Sequence, residues 1–169
     1  MATPTNLPAV AVSGEVLTAA YVNALRGAFR VNQVIYSSYG VAKTKAVTYT
    51  TYEDTGLTGT ITLQDTNNKV LVIVNQSGCS KDGGNVENRP VLQLLRGAVS
   101  LTEWTGTQFL YTGTALYQNG STTVAYLDTP GVLTAVTYKT QFKNGFNAAN
   151  VKVQDAGALS TMILCEISA

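Results

Sequence analysis

From Phe29 to the end of the chain, apolar and polar residues alternate with a period of two, the spacing that sets one face of a strand against a core. The alternation predicts strands over residues 29–39, 45–51, 59–63, 69–76, 91–96, 99–104, 122–127, 132–142, 151–154 and 160–167. Turn-forming residues separate them: Asp54-Thr55-Gly56, Asp65-Thr66-Asn67-Asn68, Lys81-Asp82-Gly83-Gly84-Asn85, Gln118-Asn119-Gly120-Ser121, Thr129-Pro130-Gly131 and Asp155-Ala156-Gly157. Arg96-Gly97-Ala98 reads as a tight reversal between two of the strands.

The first residues follow another pattern. Residues 2–12 carry Pro4 and Pro8 among small apolar side chains and read as an extended arm. Thr18 is suited to cap a short helix from Ala19 to about Arg26, which Gly27 ends. Leu17, Tyr21 or Val22, Leu25 and Phe29 fall on one face of it. So short a helix is marginal alone and needs a surface to pack on. The chain therefore divides into an arm and helix (1–28) and a β domain (29–169). Strands with short connections and one short helix predict an all-β protein, a jelly-roll-like β-sandwich of about ten strands.

Two strands depart from simple alternation. Val70-Leu71-Val72-Ile73-Val74 is apolar on both faces, and so is Met162-Ile163-Leu164-Cys165-Glu166-Ile167. Two double-faced strands exceed what a lone sandwich of this size needs. Self-association is the expectation, with cover by the arm and helix as the competing explanation.

Composition sharpens this picture. The chain has 169 residues and a net charge of +1, so nothing favours nucleic acid or anionic lipid. Only 12% of residues are charged, against roughly 25% in an average soluble protein. A Thr-rich, weakly charged surface fits a virion or extracellular protein, and fits a surface covered by partners. There is no basic start followed by a long apolar run, and the longest apolar stretch is too short to cross a bilayer. The expectation is synthesis in the cytoplasm without a signal peptide or membrane insertion, and release within an assembly.

The absence of histidine removes Ser-His-Asp triads, Cys-His dyads and histidine metal sites. Cys79 follows Gly78 in what reads as a polar loop, and Cys165 lies in the last strand; two free thiols are the expectation, with a single disulfide between them as the alternative. Asp54, Asp65, Asp82, Asp128 and Asp155 sit in turn-like contexts, where Asp commonly forms Asx-turns. No calcium-loop or phosphate-loop spacing is present. A pair such as Asp128 and Glu103 meeting in space is the arrangement that would keep glycoside hydrolysis open. The expectation is a non-enzyme without cofactor or metal. Trp104, Phe109, Tyr111 and Tyr117 accompany the long Gly/Thr-rich stretch 105–121, a candidate recognition loop for sugar rings or a protein partner. The competing reading places these rings in the core.

The segment Val12-Ser13-Gly14-Glu15-Val16-Leu17-Thr18-Ala19-Ala20-Tyr21-Val22-Asn23-Ala24-Leu25 resembles the G-x-x-LTAA-x-x-N segment common near the start of small tailed-phage virion proteins. The remainder resembles the Thr-rich β domains of phage fibre and decoration proteins at residues 52–57, 68–74, 94–97, 126–130, 136–142 and 160–167. The resembling pieces are strand cores and turns. They imply a compact jelly-roll-like domain, a homotrimer mounted on the particle by its N-terminus, and they transfer no catalytic residue. On that reading Leu7, Val16, Leu17, Val22, Leu25 and Phe29 carry attachment to other virion proteins. The loop at 105–121 would face a host surface glycan or protein. A capsid decoration or cement protein is the alternative.

Overall fold

A computed structural model describes residues 18, 22, 31–45, 51–82, 88–105, 110, 118–146 and 149–169. Among them are ten strands: β1 (Val31–Tyr39), β2 (Lys43–Lys45), β3 (Glu53–Ile61), β4 (Lys69–Lys81), β5 (Pro90–Arg96), β6 (Val99–Trp104), β7 (Gln118–Asp128), β8 (Val136–Asn144), β9 (Val151–Val153) and β10 (Ser160–Ile167). The protein is all-β, built from two antiparallel sheets in a sandwich-like arrangement. The larger sheet runs β1-β10-β4-β9-β2, with β7 also paired to β4; the smaller runs β3-β8-β5-β6. Long-range pairs set the topology: β1 pairs with β10, β3 with β8 and β4 with β7, while β5 and β6 form a hairpin.

Alternation explains the packing. Val70, Val72 and Val74 of β4 turn inward beside Met162 and Leu164 of β10, and meet Leu57 and Ile61 of β3, Leu94 of β5 and Tyr138 of β8. A second cluster forms further along from Cys79, Leu92, Phe142, Val151 and Val153. Polar residues occupy inward positions between the two. Thr140 donates to Gln76 Oε1 at 3.2 Å and shares a 2.6 Å hydrogen bond with Thr55. Gln76 and Gln154 both donate to Ser160 Oγ, at 2.9 and 3.1 Å. These bonds tie both sheets together, since a polar group buried without a partner is costly.

Several predicted boundaries move. Asp54-Thr55-Gly56 lies inside β3, where a register shift lets Gly56 pass beneath the Tyr39 ring. Gln118-Asn119-Gly120-Ser121 opens β7 rather than turning the chain. Cys79 is not in a loop: β4 continues to Lys81 and buries it. β8 starts at Val136, so residues 132–135 are outside it. β2 at Lys43–Lys45 ends where the strand predicted at 45–51 begins, and residues 46–50 of that prediction lie outside the described set. Two other turns fall as read, while residues 83–85 of the turn predicted at 81–85 lie outside the described set. Asn67 N–H donates to Asp65 Oδ1 at 2.8 Å, an Asx-turn, and Gly97 reverses the chain between β5 and β6.

Of the N-terminal prediction, only Thr18 and Val22 are described; Val22 N–H donates to Thr18 O at 3.1 Å, the first bond of a helical turn. Leu7, Val16, Leu17, Leu25 and Phe29 lie outside the described residues. No described helix is long and apolar enough to cross a membrane.

Candidate functional site

The outer faces of the two sheets differ in chemistry. On the smaller sheet, the outward positions carry charges that satisfy one another. Lys139 reaches Asp54 at 2.9 Å and Gln141 donates to the same carboxylate at 2.7 Å. Burial raises the Asp54 carboxyl, but these two donors outweigh it and hold the group below its ordinary value. Glu103 accepts hydrogen bonds from Tyr52 and Lys143, and both keep its carboxyl low. Lys143 also sits over the Tyr52 ring at 4.5 Å. Thr60 and Thr137 face each other across strands at 2.9 Å. This is a polar face whose charged groups are paired.

The larger sheet is bare by comparison. Its register aligns Val34, Cys165, Leu71 and Leu127 in one row across β1, β10, β4 and β7. The next row is Tyr36, Ile163, Ile73 and Ala125, and the next Ser38, Thr161, Asn75 and Thr123. Val31 and Ile167 extend the apolar rows toward Lys69. Val34, Tyr36 and Leu127 are exposed at 57%, 60% and 52%. The double-faced strands of the sequence, β4 and β10, are thus neighbours at the centre of this face, and no charged side chain lies within the three rows from Val34 to Ser38. The exposed flanks on β1 and β7 were not singled out from sequence. Their own alternation marks them, but only the strand order brings them into one patch.

The sandwich also has two distinct ends. Val31, Ile167 and Lys69 pair at one end, where Asp128 lies beside Val70. Arg96 grips Asp128 through Nη1 at 3.0 and 2.9 Å, which brings the β5–β6 turn to the same end. At the opposite end Gln118 pairs with Lys81, and Trp104 lies beside Leu92. The connection after Trp104 therefore leaves and returns at the end far from Val31. Along β4, Lys69 to Lys81, that separation is about 40 Å at ~3.3 Å per residue.

The predicted site residues distribute as follows. Trp104 closes β6 and packs on both core clusters, so this ring serves the interior. Phe109, Tyr111 and Tyr117 lie outside the described residues, while Leu110 among them is buried. Val22 is 42% exposed. Asp128 and Glu103 do not converge. Asp128 accepts from Arg96 and Tyr138, and Glu103 from Tyr52 and Lys143, in separate networks. Among the described residues no group of His, Cys, Asp or Glu side chains is placed to hold a metal ion. Both cysteines are free, and burial pushes the Cys79 thiol up to about 12.

No family model matches the chain, and no curated protein matches it.

Proposed function

We propose that this chain is a non-enzymatic bacteriophage virion structural protein of the fibre class. Its N-terminal segment docks on the particle, and its β domain, a jelly roll, projects as a homotrimer for host-surface recognition. The observation that carries the reading is the polarity of the sandwich. The N-terminal segment joins at Val31, while the 105–117 connection starts and finishes at the opposite end. One end is thus available for attachment and the other for recognition, the geometry a fibre tip requires. Trimerisation would multiply weak contacts of that loop into avidity.

The pairing supports the jelly-roll assignment. Leaving aside the short β2 and β9, the first strand pairs with the last, the second with the last but one, and so inward to β5 with β6. A long hairpin rolled into two sheets gives that pattern. The N-terminal resemblance supports the virion setting, and Leu7, Val16, Leu17, Val22, Leu25 and Phe29 are the proposed attachment residues.

A second reading, a capsid decoration protein, is favoured by a different observation. The apolar patch lies on the broad side of the sandwich, where a subunit lying flat on a capsid would make contact. Quantitative mass spectrometry of purified particles separates the two. A few copies per particle are expected for the fibre; copies on the order of hundreds would replace it with the decoration reading; absence from particles would overturn both.

A further inference from the structure

We propose that the outer face of the larger sheet is the surface through which copies of this chain meet, with Leu71 and Ile163 at its centre and Val34, Tyr36 and Leu127 on its flanks. The inference rests on the trimer reading above and deepens it by naming the face that the copies share.

Area favours a copy of the chain as the occupant. Strands lie about 4.8 Å apart and same-face residues about 6.8 Å apart along a strand, so four strands by the three charge-free rows, two of them apolar, span roughly 400 Å². That is the size of the largest patch on a typical monomer, and patches of that size are often sites of interaction. Two copies face to face would bury roughly 800 Å² in all from these rows, and Val31 and Ile167 beside them bring the contact near the roughly 1,000 Å² that a stable interface clears. A short helix such as that expected at 19–26 is only about 10 Å across, about half the width of the face at ~4.8 Å per strand. A second sheet matches both dimensions, and sheets pack face to face at about 10 Å through such side chains.

Charge points the same way. The rows from Val34–Leu127 to Ser38–Thr123 carry no formal charge, so the face can meet itself without like-charge repulsion. The opposite sheet, with Asp54, Lys139, Glu103 and Lys143 already paired, offers nothing comparable. Tyr36 is of the type that anchors interfaces.

Cys165 reports on the face from within it, in the row of Val34 and Leu71. Sedimentation velocity and maleimide labelling of the full-length protein at micromolar concentration provide the test. The expected result is an oligomer in which Cys165 labels slowly. Leu127→Lys and Tyr36→Lys, both at exposed positions, should give monomers with unchanged circular dichroism. Their Cys165 should label at least roughly tenfold faster, because the thiol no longer waits for the interface to open. Thr60→Lys on the opposite sheet should leave the oligomer intact. A wild-type monomer with protected Cys165 would assign the cover to the chain's own N-terminal segment, and one with reactive Cys165 to a different partner. Either overturns the proposal, as does an oligomer that survives both lysine variants. Copy number on particles is read separately, so the fibre reading can fail while this surface stands, and the reverse.

Discussion

Tyr138 donates its phenol hydrogen to Asp128 Oδ2 at 2.7 Å, and that bond joins β8 of the smaller sheet to the last residue of β7 in the larger. Arg96 completes the group from β5. Burial and the adjacent carboxylate push the Tyr138 phenol well above its ordinary value, so it stays a donor across the physiological range. Tyr138→Phe keeps the ring and removes a bond to a charged acceptor, with an expected loss of about 1.5–3 kcal/mol. Asp128→Ala should cost about 3 kcal/mol or more, because it strands a phenol and a guanidinium together. Urea unfolding should show lowered midpoints at unchanged slope; wild-type midpoints would mean that the two sheets are held elsewhere.

Glu166 gives the acid side of stability. The side chain is fully buried and accepts hydrogen bonds from Asn68 Nδ2 and Gln33 Nε2, each at 2.6 Å, and from Gln64 N–H at 2.7 Å. Burial raises its carboxyl, but these donors outweigh that effect and hold it below its ordinary value of 4.5. The unfolded chain thus takes up its proton first. The contribution of Glu166 is complete above the ordinary value and is lost as pH falls through it and then through the lowered native value. Glu166→Gln should therefore lose about 1–3 kcal/mol near neutrality and converge on wild type in acid. Unfolding measured from pH 7 to pH 3 checks this; parallel curves for the two proteins would refute it.

The bounds of β6 and β10 were legible in the sequence, where Arg96-Gly97-Ala98 and Asp155-Ala156-Gly157 stand before them. Glycine misled elsewhere. Asp54-Thr55-Gly56 and Gln118-Asn119-Gly120-Ser121 have turn chemistry, yet both lie within strands, one beside a register shift in β3 and the other opposite one in β4. A glycine inside a strand marks a bulge or a close approach as readily as a turn, and only the partner strand decides. The polar seam was missed for another reason. Gln76 continues the inward parity of Val70, Val72 and Val74, but its burial depends on Thr140 and Ser160 from distant parts of the chain. The candidate face was half legible: both faces of β4 and β10 read as apolar, while the contributions of Val34, Tyr36 and Leu127 required the strand order.

Gly78 and Gly97 offer a matched comparison. Both have positive φ, 63° and 57°. A Cβ on Gly78 would collide with the backbone of Gln154 and Asp155, whereas one on Gly97 would meet nothing within 4 Å. Gly97→Ala should cost only the backbone penalty of about 1–2 kcal/mol. Gly78→Ala must also displace the turn at Asp155–Gly157 and with it Gln154, which donates to Ser160 in the seam. Its loss should exceed that of Gly97→Ala by at least about 1 kcal/mol. Thermal unfolding of the two variants side by side decides it; equal shifts would show that the close approach to the Gln154–Asp155 backbone is not what constrains Gly78.

Cys79 turns the same architecture into a clock for unfolding. Its thiol is buried in β4 within the second cluster and donates weakly to Gln76 O at 3.6 Å. Burial pushes it up to about 12, so little thiolate exists in the native state and reagent has no path to it. Cys79 should label only when β4 separates from its neighbours. If closing is faster than labelling, its rate tracks the free energy of that opening. A variant that loses about 2 kcal/mol globally, as Tyr138→Phe should, is then expected to label Cys79 about 30-fold faster. Mass spectrometry of the labelled peptide distinguishes Cys79 from Cys165. If Cys79 labelled at one rate in both proteins, β4 would be opening locally, and the hydrogen bonds of Gln76 and Ser160 would not be coupling it to the rest of the sandwich.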